Sequence, residues 1–270
     1  MKLNGLDLFS GIGGNTLGLR DYIKTIAYCE YDKHAQSVLL SRMADGSIES
    51  APIWDDITSL RGEHFDCPID IIVGGFPCQD ISVAGKGQGI QDGNRSGLFF
   101  EVMRLTDELN PTFLFLENVP AIRTRGLDIV LQELTKRGYD CRWTMLSAAQ
   151  VGAQHKRERW FLLAYSNKRG LQTTRSLLKT AGTAREDREC GRSTESRLDG
   201  VVDGISASVD KGRPSYLTAD YWKEEPKDFP RVTQEKEQRT ERIKRLGNAV
   251  VPLQAKTAFE YLMGLKMVQE

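Results

Sequence analysis

Four side chains with chemistry to offer stand at the ends of apolar runs. Cys78 follows Ile71-Ile-Val73-Gly-Gly-Phe-Pro77, Glu117 follows Phe113-Leu-Phe-Leu116, and Arg157 and Arg159 precede Trp160-Phe-Leu-Leu-Ala164. A thiol is a nucleophile where its surroundings favour the thiolate. A carboxyl group beside it can donate or share a proton, and paired guanidinium groups can hold an anion or orient a carboxylate. Together these are the parts of covalent catalysis, in which a nucleophile splits one difficult step into easier ones. The plainer reading of Cys78 is a small buried hydrophobe, the usual state of a free cysteine. The plainer reading of the arginines is a solvated edge. In an extended approach to Trp160, Arg157 and Arg159 point to one face and Lys156 and Glu158 to the other.

The elements that must position these groups are legible from pattern. Ile71-Ile72-Val73 has no polar face, as in a parallel strand covered on both sides. Gly74 and Gly75 end it, and Pro77 fixes the backbone before Cys78. Leu3 to Phe9 reads as a first strand, Ser10-Gly11-Ile12-Gly13-Gly14-Asn15 as a glycine-rich turn, and Thr16 to Ile23 as the helix it opens. Thr25 to Cys29 is a second strand. Glu30 follows it about 20 residues past the first glycine, where nucleotide-binding α/β folds place a carboxylate against a ribose. The glycines read G-x-G-G, with Thr16 in place of a third glycine. That weakens a nicotinamide or flavin reading and leaves a nucleoside-containing cofactor or a structural tight turn.

Helices are expected over Asp32 to Met43, Leu98 to Leu109, Leu127 to Arg137 and Leu253 to Leu265, and a further strand over Tyr139 to Leu146. Trp54-Asp55-Asp56-Ile57-Thr58 ends a third element with acids that suit either an adenine amino group or a helix cap. The whole is an α/β fold with a mostly parallel sheet, in which side chains past the carboxyl ends of the strands line the ligand crevice. Ser82 to Gly97 holds five glycines in sixteen residues, a composition that suits a lid beside the cysteine.

Composition bounds the partners. At 270 residues, with 40% hydrophobic and 27% charged, the chain can bury one large α/β domain and a smaller accessory one. The N-terminus enters a strand pattern directly and no apolar run approaches the roughly 18 residues a membrane helix needs, so an intracellular protein without membrane contact is expected. Five widely spaced cysteines and three histidines give neither a disulfide framework nor a metal site. Net charge is zero, so any nucleic acid must meet a local basic surface. One such surface is the segment from Ser166 to Glu241, rich in Arg, Thr, Ser and Gly and of a composition that can remain loosely ordered without a partner. After it, Arg242 to Leu265 regains core-like periodicity and is expected to dock back onto the first domain.

In order and spacing these residues resemble the cytosine carbon-5 DNA methyltransferases that use S-adenosyl-L-methionine. The resemblance rests on Asp7-Leu-Phe-Ser-Gly-Ile-Gly-Gly14, Gly75-Phe-Pro-Cys78-Gln79, Glu117-Asn118-Val119, Arg157-Glu158-Arg159 and Leu246-Gly247-Asn248-Ala249-Val250, and covers about Leu3 to Ala164 and Arg242 to Leu265. It implies a Rossmann-like catalytic domain over 1–165, a small target-recognition region over 166–241, and a segment, 242–270, returning to the catalytic domain. It also implies a bound S-adenosyl-L-methionine. Phe9, Gly11 and Gly13 would wrap its methionine end, Glu30 its ribose, and Asp56, Ile57 and Leu98 its adenine, with Pro77, Asn248 and Ala249 completing the site.

The resemblance further implies that Cys78 attacks carbon 6 of a cytosine, that Glu117 binds ring nitrogen 3, that Arg159 holds the base or Glu117, and that Arg157 lies near a backbone phosphate. Gln79, Ser82 and Asn118 would contact substrate. The implied partner is double-stranded DNA, from which the target base must be flipped. The implied setting is a monomer in a prokaryotic cytoplasm, in a restriction-modification context. His155 departs from the family, which most often has glutamine there. The rival readings are a tRNA cytosine methyltransferase, a DNA-binding relative without activity, and a nicotinamide oxidoreductase.

Overall fold

The apolar runs become the strands of a single sheet. A computed structural model of the chain describes residues 2–77, 97–167 and 247–265. Among these, β1 (Leu3–Leu8), β2 (Ile23–Cys29), β3 (Ile53–Trp54), β4 (Ile71–Gly74), β5 (Phe113–Asn118), β6 (Tyr139–Ser147) and β7 (Glu158–Ser166) lie in the order β3-β2-β1-β4-β5-β7-β6. The first five are mutually parallel, and β7 runs antiparallel to both β5 and β6. The helices are α1 (Gly14–Leu19), α2 (Lys33–Ala44), α3 (Leu98–Leu109), α4 (Ile122–Arg125), α5 (Leu127–Lys136) and α6 (Pro252–Met263).

The unbroken apolar runs are explained by burial on both faces. Ile72, Leu114, Leu116 and Leu162 turn toward one layer, where Phe99, Val102, Met103, Val130 and Leu134 of α3 and α5 cover them. Their strand neighbours Ile71, Val73, Phe113, Phe115, Phe161 and Leu163 turn to the other, where Leu19 of α1 and Ala255, Ala258, Phe259, Leu262 and Met263 of α6 pack. Residues two apart share a face, so both layers draw on one stretch of sequence. A Cβ on Gly14 would lie 2.4 Å from the Val250 carbonyl oxygen and one on Gly18 2.3 Å from that of Pro252, so α1 meets the start of α6 backbone to backbone.

Strand order reverses between β1 and β4, the switch point where open α/β sheets hold ligands. The parallel register Gly74 to Leu116 sets the ends of β4 and β5 side by side. That is the edge at which the sequence puts Cys78 and Glu117. Cys78 itself, with Gln79 and Ser82, lies outside the described residues, as do nearly all of the expected lid and recognition region.

Three local expectations are corrected. The first helix runs Gly14–Leu19, not Thr16 to Ile23, because Gly13 at φ 81 starts it directly and the Tyr22 amide closes it on the Leu19 carbonyl at 2.8 Å. Ile23 instead opens β2, paired with Leu3. Phe9 is not strand, since its φ of 54 turns the chain out of β1. Arg157 likewise precedes β7 with φ 29, so the alternation that would put it on the face of Arg159 does not operate.

Candidate active site

The cleft at the switch point is about 310 Å³ and is walled by the β1 turn from Phe9 to Asn15, Glu30 and Ala35 beyond β2, the β4 and β5 ends, Arg159 of β7, and Asn248 to Val250. Phe9, Gly11 and Gly13 all have positive φ, which bends the chain sharply enough to expose backbone amides to one carboxylate. Glu30 takes one donor from this turn, the Gly11 amide at 2.7 Å, and a second from the Asp32 amide just beyond β2, at 2.8 Å. Arg42 of α2 reaches back to the Ile12 carbonyl at 2.5 Å and steadies the turn from outside. Thr16, which breaks the dinucleotide spacing, donates its hydroxyl to the buried Asp7 carboxyl group.

At the other end, Glu117 is buried and pairs with the Arg159 Nε at 2.8 Å. Burial pushes its carboxyl group above the usual carboxylate range, against the opposing pull of Arg159 and Arg157. A Cβ on Gly75 would stand 2.7 Å from Glu117 Oε2, so the glycine after β4 makes the room in which this acid sits. Asn118 donates to the Phe76 carbonyl at 3.2 Å and accepts from the Val119 amide at 2.8 Å, tying the two strand ends together. Arg157 is engaged elsewhere: its guanidinium donates to the carbonyls of Gly247, at 2.6 Å, and Ala249. Burial and the neighbouring Arg159 lower its proton affinity, while Glu117 opposes them.

The structure therefore gathers Phe9, Gly11, Glu30, Pro77, Glu117, Asn118, Arg159, Asn248 and Ala249 around one cleft. It leaves four predicted cofactor residues off the wall. Gly13 backs onto Leu39 of α2, and Ile57 is core beneath α3. Leu98 packs on that same core. Asp56 accepts from the Thr58 amide at 2.9 Å and hydroxyl at 2.8 Å in a local turn, and the helical turn that follows is capped by Arg61, so neither expected role of this acid is seen. Among the lining residues, Asn15, Phe76 and Val119 lie in the quoted motifs and turn but are given no role there, and Ala35 of α2 lies outside all of them. Asn15 adjoins the glycine turn, and that position was the available signal. Among the described residues no group of three or more His, Cys, Asp or Glu could hold a metal ion, and no helix is long and apolar enough to cross a membrane.

The chain is 38% identical over 165 residues to the Type II methyltransferase M.CviJI of Paramecium bursaria Chlorella virus IL3A, a match covering 61% of this chain and 43% of that protein. It is 35% identical over 168 residues to the Type II methyltransferase M.NgoBI of Neisseria gonorrhoeae, covering 60% and 50%. The chain thus spans about half the length of the curated relatives it matches. The fold is shared with the solved structure of the DNMT2 protein of Spodoptera frugiperda, at a TM-score of 0.51 and 21% identity over 62% of this chain and 50% of that one. A family model for the C-5 cytosine-specific DNA methylases matches residues 3–228, most of the chain, and the protein belongs to that family.

Proposed function

We propose that the chain methylates carbon 5 of cytosine in duplex DNA, using S-adenosyl-L-methionine and a covalent step at Cys78. The observation that carries this reading is one cleft joining a glycine turn with an amide-bound carboxylate, Glu30, to a buried acid–guanidinium pair, Glu117 and Arg159. The residues present suit the cofactor. Asn15 Oδ1 is buried on the cleft wall without a partner among the described residues, so it can accept a hydrogen bond from a ligand donor. Glu30 keeps lone pairs for ribose hydroxyls. When bound, the cofactor supplies an electrophilic methyl group.

The remaining work falls to the chain's own side chains. Carbon 5 of cytosine is a poor nucleophile. Addition of the Cys78 thiolate to carbon 6 gives the ring enamine character, which makes carbon 5 a nucleophile. Glu117, whose proton affinity burial raises, favours protonation at nitrogen 3 as the sulfur adds. Arg159 fixes the carboxyl group, and Asn118 holds Phe76 and with it the approach to Pro77. Loss of the carbon-5 proton to a base then expels the thiolate, the nitrogen-3 proton returns to Glu117, and the aromatic ring is restored. Gln79 and Ser82 complete the contacts to the flipped base. Residues 166–241 supply target recognition between the catalytic part, 1–165, and the returning segment, 242–270. The enzyme acts as a monomer in the cytoplasm of a prokaryotic cell.

The test uses duplex DNA carrying 5-fluorocytosine, which cannot release its carbon-5 substituent as a proton. Such DNA should be trapped on Cys78, and Cys78→Ala should abolish transfer while cofactor binding survives. Trapping at another cysteine, undiminished turnover by the variant, or methyl incorporation into tRNA in place of duplex DNA would each overturn the proposal.

A further inference from the structure

The arginine two residues ahead of the Glu117 partner acts on that acid only through its charge, and its hydrogen bonds go elsewhere. Arg157 adopts φ 29, a left-handed conformation rare for a residue with a Cβ and held only when the surroundings over-determine it. What determines it here is a reciprocal lock to the returning segment. Its Nη1 donates to the Gly247 carbonyl at 2.6 Å and its Nη2 to that of Ala249. In return Gln254 Nε2 donates to the Arg157 carbonyl at 3.0 Å and to that of Leu146 at 2.6 Å. The Ala148 amide also closes on the Lys156 and Arg157 carbonyls at 2.9 and 3.2 Å, so the loop between β6 and β7 is itself braced.

On the opposite side the same segment is pressed against α1, with the Val250 and Pro252 carbonyls over Gly14 and Gly18. Between these two contacts Asn248 and Ala249 face the cleft. We propose that Arg157 is a positioning residue for the cofactor: by spanning two carbonyls of the returning segment it sets that wall of the cleft, and it is not a phosphate contact. The inference rests on the cofactor reading above. It divides the Arg157-Glu158-Arg159 motif between two tasks, one arginine for the catalytic acid and one for the opposite wall. The planar fork presents two separate nitrogens to carbonyls two residues apart, whereas a lysine ammonium must serve both from one nitrogen on a flexible stem.

The experiment compares the wild type with Arg157→Lys, which keeps the charge, and Arg157→Gly, which relieves the backbone and removes the fork. S-adenosyl-L-methionine affinity is measured by calorimetry without DNA, and mixed-sequence duplex affinity is measured as a function of salt. Both variants should bind the cofactor at least about tenfold more weakly, with the salt slope for DNA unchanged. Cofactor affinity equal to wild type, or a salt slope reduced by about 1 as loss of a phosphate contact requires, overturns the proposal. A wild type that does not bind the cofactor overturns the functional reading itself. Hydrogen exchange on the unmodified protein gives an independent result should either variant fail to fold. Cofactor should slow exchange at residues 248–254 and at Ala148 together, and protection at the glycine turn alone, with Ala148 unchanged, counts against the lock.

Discussion

Glu30 and Glu117 are the same in kind at the two ends of one cleft, each at the carboxyl end of a parallel strand, and the chain treats them in opposite ways. Glu30 rests on the backbone amides of Gly11 and Asp32. Amides are neutral and rigidly placed, so they orient a carboxylate without competing for its charge. Glu117 is enclosed and meets a guanidinium, with burial raising its proton affinity and the cation restraining the rise. The first arrangement suits holding hydroxyl groups in register, and the second suits a group that must gain or share a proton. Surroundings, not residue type, assign the two tasks.

If that division is right, removing the titrating carboxyl group of Glu117 is the more damaging of the two acid substitutions to the chemistry. Glu117→Gln preserves shape and one acceptor but cannot pass a proton, and should lower single-turnover methyl transfer by about 10² to 10⁴ while cofactor affinity stays within about twofold. Wild-type transfer should also decline as pH rises through the elevated Glu117 range, because the acid form is then lost. A variant that kept its rate but lost cofactor would erase the distinction between the two acids.

The complementary change is Glu30→Gln. Its amide nitrogen would face one of the two donor N–H groups, leaving a bond unmade, and the cost of losing hydrogen bonds to a charged group corresponds to about 10- to 100-fold in cofactor affinity. Titration calorimetry should find that loss, and turnover at saturating cofactor should stay within about threefold, since the variant touches no reacting atom. A fall in turnover with affinity intact would mean that Glu30 serves the chemistry after all.

What the sequence made legible follows the same physical divide. Runs such as Ile71 to Val73 and Phe113 to Leu116 reveal buried parallel strands because burial on both faces leaves no polar position, and their ends locate the cleft. The motif acids Glu30 and Glu117 are legible for that reason. Hidden were contacts set by backbone conformation or by distant chain. Arg157 and Arg159 alternate on paper, but φ 29 at Arg157 removes the alternation. Gln254 looks like any helix residue until it reaches the Leu146 carbonyl, 108 positions away. Asp56 shows how a local bond wins: its Thr58 partner is two residues off and needs no ligand.

A third acid offers the control for the comparison. Asp7 is the penultimate residue of β1, beside the same turn, but its carboxyl group has neither amides nor a guanidinium. The Thr16 hydroxyl serves one oxygen, and the other has no partner among the described residues. Burial pushes its pKa up to about 7, a rise that the Thr16 bond restrains and nearby Glu30 reinforces. The folded chain therefore holds this proton more tightly than the unfolded chain, whose value is near 3.8. Stability from it is complete below about pH 4 and is lost as pH climbs to about 7, at no more than about 1.4 kcal/mol per pH unit. Asp7→Asn keeps an acceptor for Thr16 and removes the titration. In urea unfolding the variant should gain about 2 kcal/mol on the wild type between pH 5 and pH 8, with methyl transfer at saturating cofactor nearly unchanged. Parallel pH curves for the two proteins would show that Asp7 is not protonated in the folded state. The contrast between Glu30 and Glu117 would then rest on their partners alone and not on burial.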